Sequence, residues 1–280
     1  MSAITLDTAK CKKCGNCISL MKNYCISEKD GYPVFDYSLC NICQKCVSIC
    51  PSGAIMVNDT YADRISPDLK KCLPGEIIAL FEKRRSIKHF KDKPVPKSVI
   101  KEILSVAKYA PNQNKNISIL VIDDRKLINE IDSYALRQVN KIHKLLFSFK
   151  PIIGFVKLFS KNMDIIKRKM EYDLFEKKHI VKENTQVIII LTGNKKVPVT
   201  DHSAQYILAT MIYMAESLEV GNCLMDSLLY ALNTSKGFRQ KLSIKDNVLG
   251  VLSLGYSNEN VMNIPRGYEV DVSWNPEAKV

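Results

Sequence analysis

The 280-residue chain contains no apolar run near the roughly 20 residues that a membrane-spanning helix needs. Its longest candidates, Pro151–Phe159 and Val187–Leu191, are far shorter. The segment Met1–Lys10 has neither an apolar core nor a small-residue cleavage site, so no secretory leader is expected and the cytoplasm is the expected compartment. No Gly-x-Gly-x-x-Gly turn follows a strand-like run, which excludes a dedicated dinucleotide-binding domain. The histidines, His89, His143, His179 and His202, are scattered, and each reads as structural or solvent-exposed rather than catalytic. Intrinsic disorder as the main state is not expected either, since 46% hydrophobic and 25% charged residues match ordinary globular proteins. The length suits one large domain plus a small one.

Cysteine is nearly missing from the last 230 residues, which hold only Cys72 and Cys223, while eight of the ten lie in the first 50. In a reducing compartment such density means metal rather than disulfides. The run Cys40-x2-Cys43-x2-Cys46-x3-Cys50-Pro51 has the spacing by which a short loop wraps thiolates around an iron–sulfur cube. In two-cluster proteins the fourth cysteine of such a run ligates the other cluster, and Cys11-x2-Cys14-x2-Cys17 supplies the partner motif. One cluster is therefore assigned to Cys11, Cys14, Cys17 and Cys50, the other to Cys40, Cys43 and Cys46 with a fourth ligand. Structural zinc is the competing reading, but it takes four ligands in two pairs, and two triplets match that poorly. Residues 1–60 resemble a bacterial two-[4Fe–4S] ferredoxin, and Cys50-Pro51-Ser52-Gly53-Ala54-Ile55 adds to the likeness. Such a ferredoxin would place the remaining ligand at position 21, which is Met21 here. We assign Cys25, reached by a longer loop, to that role.

The net charge of +12 is uneven. Residues 137–182 carry twelve basic against four acidic side chains, and residues 1–75 carry nine against seven. Basicity is thus local, and no nucleic-acid reader motif accompanies it. No nucleic-acid partner is expected.

Residues 61–75, with Pro67, Pro74 and Gly75, read as a linker. Beyond them, Ile77, Ile78 and Phe81 form one helical stripe and Val99, Ile103, Leu104, Val106 and Ala107 a second. Three β-branched runs follow, Ile117–Ile122, Val187–Thr192 and Val248–Leu254, apolar enough to be covered on both faces. Ser203–Leu218 reads as a long helix between the last two. Helices on both faces of a small sheet imply an α/β or α+β sandwich with one sizeable core.

Arg84-Arg85-Ser86-Ile87-Lys88-His89-Phe90 gathers guanidinium, hydroxyl and ammonium groups suited to a phosphate monoester, although a basic run alone is more often a solvated face. Arg-x-Ser-x-Lys-x-Phe some way before Tyr109-Ala110-Pro111-Asn112 resembles the start of the nitroreductase family of FMN enzymes. Gly221-Asn222-Cys223-Leu224-Met225 looks like that family's glycine-led segment beside the flavin. Leu254-Gly255-Tyr256 with Pro265-Arg266 resembles its last strand and phosphate-side arginine. The resemblance implies an α+β protein: a small ferredoxin-like domain fused to a nitroreductase-like α/β sandwich over 76–280, with a central sheet flanked by helices and 137–182 as a basic helical insert.

The same resemblance implies that Arg84, Ser86 and Arg266, with Arg85 beside them, hold the FMN phosphate, that Lys88 approaches the pyrimidine edge, that Pro111, Asn112 and Asn114 line the flavin, and that the backbone at Met225 and Asp226 faces N5. Two [4Fe–4S] clusters and FMN are then the cofactors. The clusters would feed electrons to the flavin for reduction of a small electrophilic acceptor such as a nitro compound or quinone. The donor would be ferredoxin, flavodoxin or NAD(P)H, and the family's site between subunits implies a homodimer. No general acid or base is named, because the cofactor carries this chemistry. Two alternatives stand: an electron-transfer module whose acceptor is a partner protein, and another flavin reaction on the same scaffold, dehydrogenation or reductive dehalogenation. For the insert, a helical cap over the flavin that buries Phe147, Phe155 and Phe159, a docking face for an acidic carrier and an in-plane lipid contact remain open. Cys223 reads as a small buried residue, with a reactive thiol as the alternative.

Overall fold

The computed structural model describes residues 4–21, 24–40, 43–64, 73–111, 117–147, 163–264 and 272. Among these, no helix is long and apolar enough to cross a membrane.

The N-terminal unit comprises β1 (Ile4–Leu6), α1 (Asn16–Met21), β2 (Ile26–Lys29), β3 (Tyr32–Phe35), α2 (Lys45–Ile49), β4 (Ile55–Val57) and β5 (Thr60–Tyr61). β4 pairs antiparallel with both β1 and β5, while β2 and β3 form a separate hairpin closed at Asp30-Gly31. Short elements cannot bury much alone, so Ile4, Ile18, Ile26, Val47 and Ile55 pool with Cys17, Cys25 and Cys46 in one small core. Tyr61 pairs with Met56 and its hydroxyl donates to Asp7 at 2.7 Å, so this unit reaches at least one residue past position 60.

The larger unit continues with α3 (Pro74–Lys83), α4 (Lys97–Ser105) with a 3-10 turn over Val106–Tyr109, β6 (Ile117–Ile122), α5 (Arg125–Phe147) and α6 (Met163–Glu171). The chain then widens into a π-helical turn over Tyr172–Lys177 before β7 (Val187–Gly193), α7 (Thr200–Ser217), β8 (Gly221–Leu224), α8 (Asp226–Asn233), α9 (Lys236–Lys241) and β9 (Asn247–Gly255). The sheet order is β6-β7-β9-β8, every pair antiparallel.

An antiparallel sheet is usually wet on one face, yet β7 and β9 are buried throughout except for half-buried Asn247. Helices on both sides explain this. Ile188, Ile190 and Val251 face Ile131 and Ala135 of α5 and Leu228 of α8 in one core. Val187, Ile189, Leu191, Leu252 and Leu254 face α4 and the stripe Ala204, Ile207, Leu208, Met211 and Ala215 of α7 in the other. The register shift between Leu191 and Thr192 changes the alternation of β9, so that Val248 shares a core with Val251 and Leu249 with Leu252. This is the expected α+β sandwich with a central sheet flanked by helices.

α3 differs. Proline opens it, and Glu76 reaches back to accept from the Leu73 N–H at 3.0 Å, as at a capped N-terminus. None of its residues is buried. Ile77, Ile78 and Phe81 remain 42%, 52% and 50% exposed, and Phe81 meets Tyr213 of α7 edge-on at 4.6 Å.

Candidate functional site

The cysteines of the N-terminal unit lie in two groups. Cys11, Cys14, Cys17 and Cys50 line one cavity together with Leu6, Ile18 and Ile55. Tight loops bring them there: Lys13, Gly15 and Gly53 all have left-handed φ values, of 52°, 73° and 64°. Burial raises the Cys17 thiol, and the neighbouring Cys50 and Cys14 add to that. Cys50 differs. Burial opposes its ionisation, but hydrogen bonds from Ser52 and from the Ala54 N–H, 3.3 Å from its Sγ, outweigh it and lower its pKa.

Cys25 gathers with Cys40, Cys43 and Cys46. Burial, then Cys40 and Cys43, raise the Cys25 thiol, and burial foremost pushes Cys46 up to about 12. Raised thiols of this kind need a cation to become thiolates. Among the described residues no three ligand side chains converge closely enough for a single metal ion. Cys11, Cys14, Cys17 and Cys50 around one cavity are a donor set that fits a cube of metal and sulfide.

On the larger unit the extended strap Ser86–Phe90 lies across the edge of the sheet. Ile87 N donates to Asn222 O at 2.9 Å and Phe90 N to Glu183 O at 3.1 Å. Two glycines make room for it: a Cβ at Gly221 would stand 3.0 Å from Ile87 Cγ1, and one at Gly255 would stand 2.8 Å from the ring of Phe90. That is a physical reason for glycine at the head of Gly221-Asn222-Cys223 and at the end of Val251–Gly255. Arg84 Nη1 points at Ser86 Oγ, 3.4 Å away, so the two share one place as phosphate donors would. Arg85 instead donates to the Arg84 carbonyl. Glu216 faces Lys83, Arg84 and Arg85; burial raises its carboxyl, and these cations partly offset that.

Lys88 is exposed beside Ser86. Buried Met225 donates its N–H to Val251 O at 2.9 Å, and Asp226 opens α8. Pro111 is exposed after buried Ala110. Asn112, Asn114 and Arg266 lie outside the described residues, as do Phe155 and Phe159 of the insert.

Residue spacing did not single out several groups at this site. Glu259 accepts from the N–H groups of Lys88 and His89 at 2.6 and 2.9 Å, from some 170 positions away in sequence. On β8 itself, the buried thiol of Cys223 is raised by burial. The amine of Lys182 is lowered by burial and then by Lys177. Asp173, 9% exposed, is raised by burial, with Lys182 and Lys177 opposing. Of these, only Cys223 belongs to a local motif.

Comparison with known proteins adds the following. The nitroreductase family model matches residues 81–256, and a model of a 4Fe-4S binding domain matches residues 33–56, which include Cys40, Cys43, Cys46 and Cys50. No curated protein matches the chain. A nitroreductase with bound FMN from Bacteroides fragilis NCTC 9343 is similar at 14% identity, covering 71% of this chain and 99% of its own, with a TM-score of 0.55. A nitroreductase with bound FMN from Desulfitobacterium hafniense DCB-2 is 13% identical, covering 70% and 96%, with a TM-score of 0.54. At these identities the likeness is one of fold.

Proposed function

The chain belongs to the nitroreductase family, and from that premise we propose an FMN-dependent oxidoreductase with two [4Fe–4S] clusters that reduces a small electrophilic acceptor such as a nitro compound or quinone. The observation that carries this reading is the gathering of eight thiols into two sets of four within one chain of this family. When bound, the clusters supply single electrons and FMN the electron pair that the acceptor takes.

The chain's own residues bind and orient. Cys11, Cys14, Cys17 and Cys50 hold one cluster, and Cys25, Cys40, Cys43 and Cys46 the other. Arg84 and Ser86, with Arg266, bind the FMN phosphate, and Arg85 braces Arg84 through its carbonyl. Lys88 brings positive charge to the pyrimidine edge, where it favours added electrons. Pro111, Asn112 and Asn114 would line the flavin, and the backbone at Met225 and Asp226 would flank its N5 side. The exposed apolar face of α3 supports a homodimer in which that face is covered.

The physiological donor is a ferredoxin, a flavodoxin or NAD(P)H. The test is purification without oxygen, followed by quantification of iron, acid-labile sulfide, zinc and released flavin per chain. About eight iron, eight sulfide and one FMN are expected. Zinc without sulfide, or no flavin, would overturn the proposal.

A further inference from the structure

In the strap that carries Ser86 and Lys88, every N–H from Ile87 to Phe90 is hydrogen-bonded, and one of the acceptors is unlike the rest. Four consecutive N–H groups, from Ile87 to Phe90, each need an acceptor. The first and last find backbone carbonyls, those of Asn222 and Glu183. The middle two, Lys88 and His89, share a single side-chain oxygen, Glu259 Oε1, at 2.6 and 2.9 Å. Donors converging on a carboxylate are the strong kind of hydrogen bond.

Glu259 is itself held in place. Its N–H donates to Ser257 Oγ at 3.0 Å, and that hydroxyl donates back to the Glu259 carbonyl at 3.0 Å. Asn258 N donates to His89 O at 3.0 Å, and Lys91 N to Tyr256 O at 2.8 Å. The segment after β9 is therefore laced to the strap from both sides, with the carboxylate at the centre. His89 is also tied laterally, its Nδ1 lying 3.0 Å from Glu183 Oε2.

From this geometry we propose, resting on the flavin reading above, that Glu259 is a positioning residue of the FMN site. Its carboxylate fixes the backbone at Lys88 and so sets where the Lys88 ammonium points. It touches no substrate or cofactor. Without it, two strap N–H groups turn to water, the backbone between Ile87 and Phe90 gains freedom, and Lys88 must be ordered when the flavin binds.

The test is the affinity of the full-length protein for FMN, stripped and re-added without oxygen and read from flavin fluorescence. Glu259→Ala should weaken FMN by about tenfold, the size expected for losing charge-assisted hydrogen bonds that water partly replaces. Glu259→Gln keeps an acceptor oxygen and should recover most of the loss. In a Lys88→Ala background, Glu259→Ala should cost much less, because the side chain it aims is gone. Equal affinity for Glu259→Ala and wild type would overturn the proposal. So would an equal cost in both backgrounds, which marks a general prop, or a Glu259→Gln variant as weak as Glu259→Ala. Failure of the wild type to bind FMN would instead remove the flavin reading, and the proposal with it.

Discussion

Gly255→Ala adds a single methyl group where the strap crosses β9. The new Cβ would stand 2.8, 2.9 and 3.0 Å from Cγ, Cδ1 and Cβ of Phe90. Real Cβ atoms do not approach so closely, so Phe90 must move. Its room to do so is small: it is 1% exposed, its own N–H is tied to Glu183, and the next N–H is tied to Tyr256. Gly255 carries no left-handed φ, so the penalty is steric rather than conformational. Overpacking of this kind costs about 1–3 kcal/mol. For a unit of this size, that lowers the melting temperature by about 2–4 °C per kcal/mol. Gly237→Ala is the control, because nothing lies within 4 Å of its added Cβ and alanine is favoured in a helix by about 0.5–1 kcal/mol. Calorimetry of the full chain, comparing the transition of the larger unit, should show Gly255→Ala below wild type and Gly237→Ala level or above. Because Ser86 and Lys88 ride on the displaced strap, FMN should also bind more weakly to Gly255→Ala. Equal melting of Gly255→Ala and wild type would refute the reasoning about the strap.

Two further outcomes follow from the sites. Cys25→Ser should reduce iron from about eight to about four per chain while leaving the cluster of Cys11, Cys14, Cys17 and Cys50; a full complement of iron would remove Cys25 from the ligand set. Asp173 has a carboxyl raised by burial, so the folded chain holds its proton more tightly than the unfolded one. Stability from this group is then present below the ordinary aspartate range and lost as pH rises through the raised value. Melting curves across the acid range should flatten in Asp173→Asn relative to wild type, and an unchanged pH slope would contradict the assignment.

Much of the fold can be read along the chain because its signals are local. Ile117–Ile122, Val187–Thr192 and Val248–Leu254 are β-branched runs that became β6, β7 and β9 with ends moved by at most one residue. The stripe of Ser203–Leu218 became α7, which begins three residues earlier, at Thr200. β8 carries no such signal. Gly221-Asn222-Cys223-Leu224 is short and not alternating, and it is a strand only because β9 offers it an edge. Thr60–Tyr61 likewise extends the small unit by pairing with β4, past the boundary that proline and glycine suggested.

The run Cys40-x2-Cys43-x2-Cys46-x3-Cys50 was legible for a different reason: ligand spacing is itself a local pattern. The anchors of the strap were not. Asn222, Glu183 and Glu259 reach Ser86–Phe90 from three distant parts of the sequence, and a carboxylate that caps backbone N–H groups has no spacing rule. The same holds for Asp173 and Lys182, whose titration is altered by burial that only the folded chain creates.

Electron transfer from the proposed clusters to the flavin is the step on which the proposed function turns. It is tested most directly by mixing the oxidised, fully loaded protein with a stoichiometric low-potential one-electron donor and freezing samples at successive times. Cluster reduction is followed by electron paramagnetic resonance and flavin by its absorbance. The cluster signal should rise first and decay as the flavin is reduced, and this order should be lost when both clusters are removed in the double variant Cys14→Ser/Cys43→Ser. Clusters that stay reduced beside an oxidised flavin, or a flavin reduced equally fast in that double variant, would contradict it.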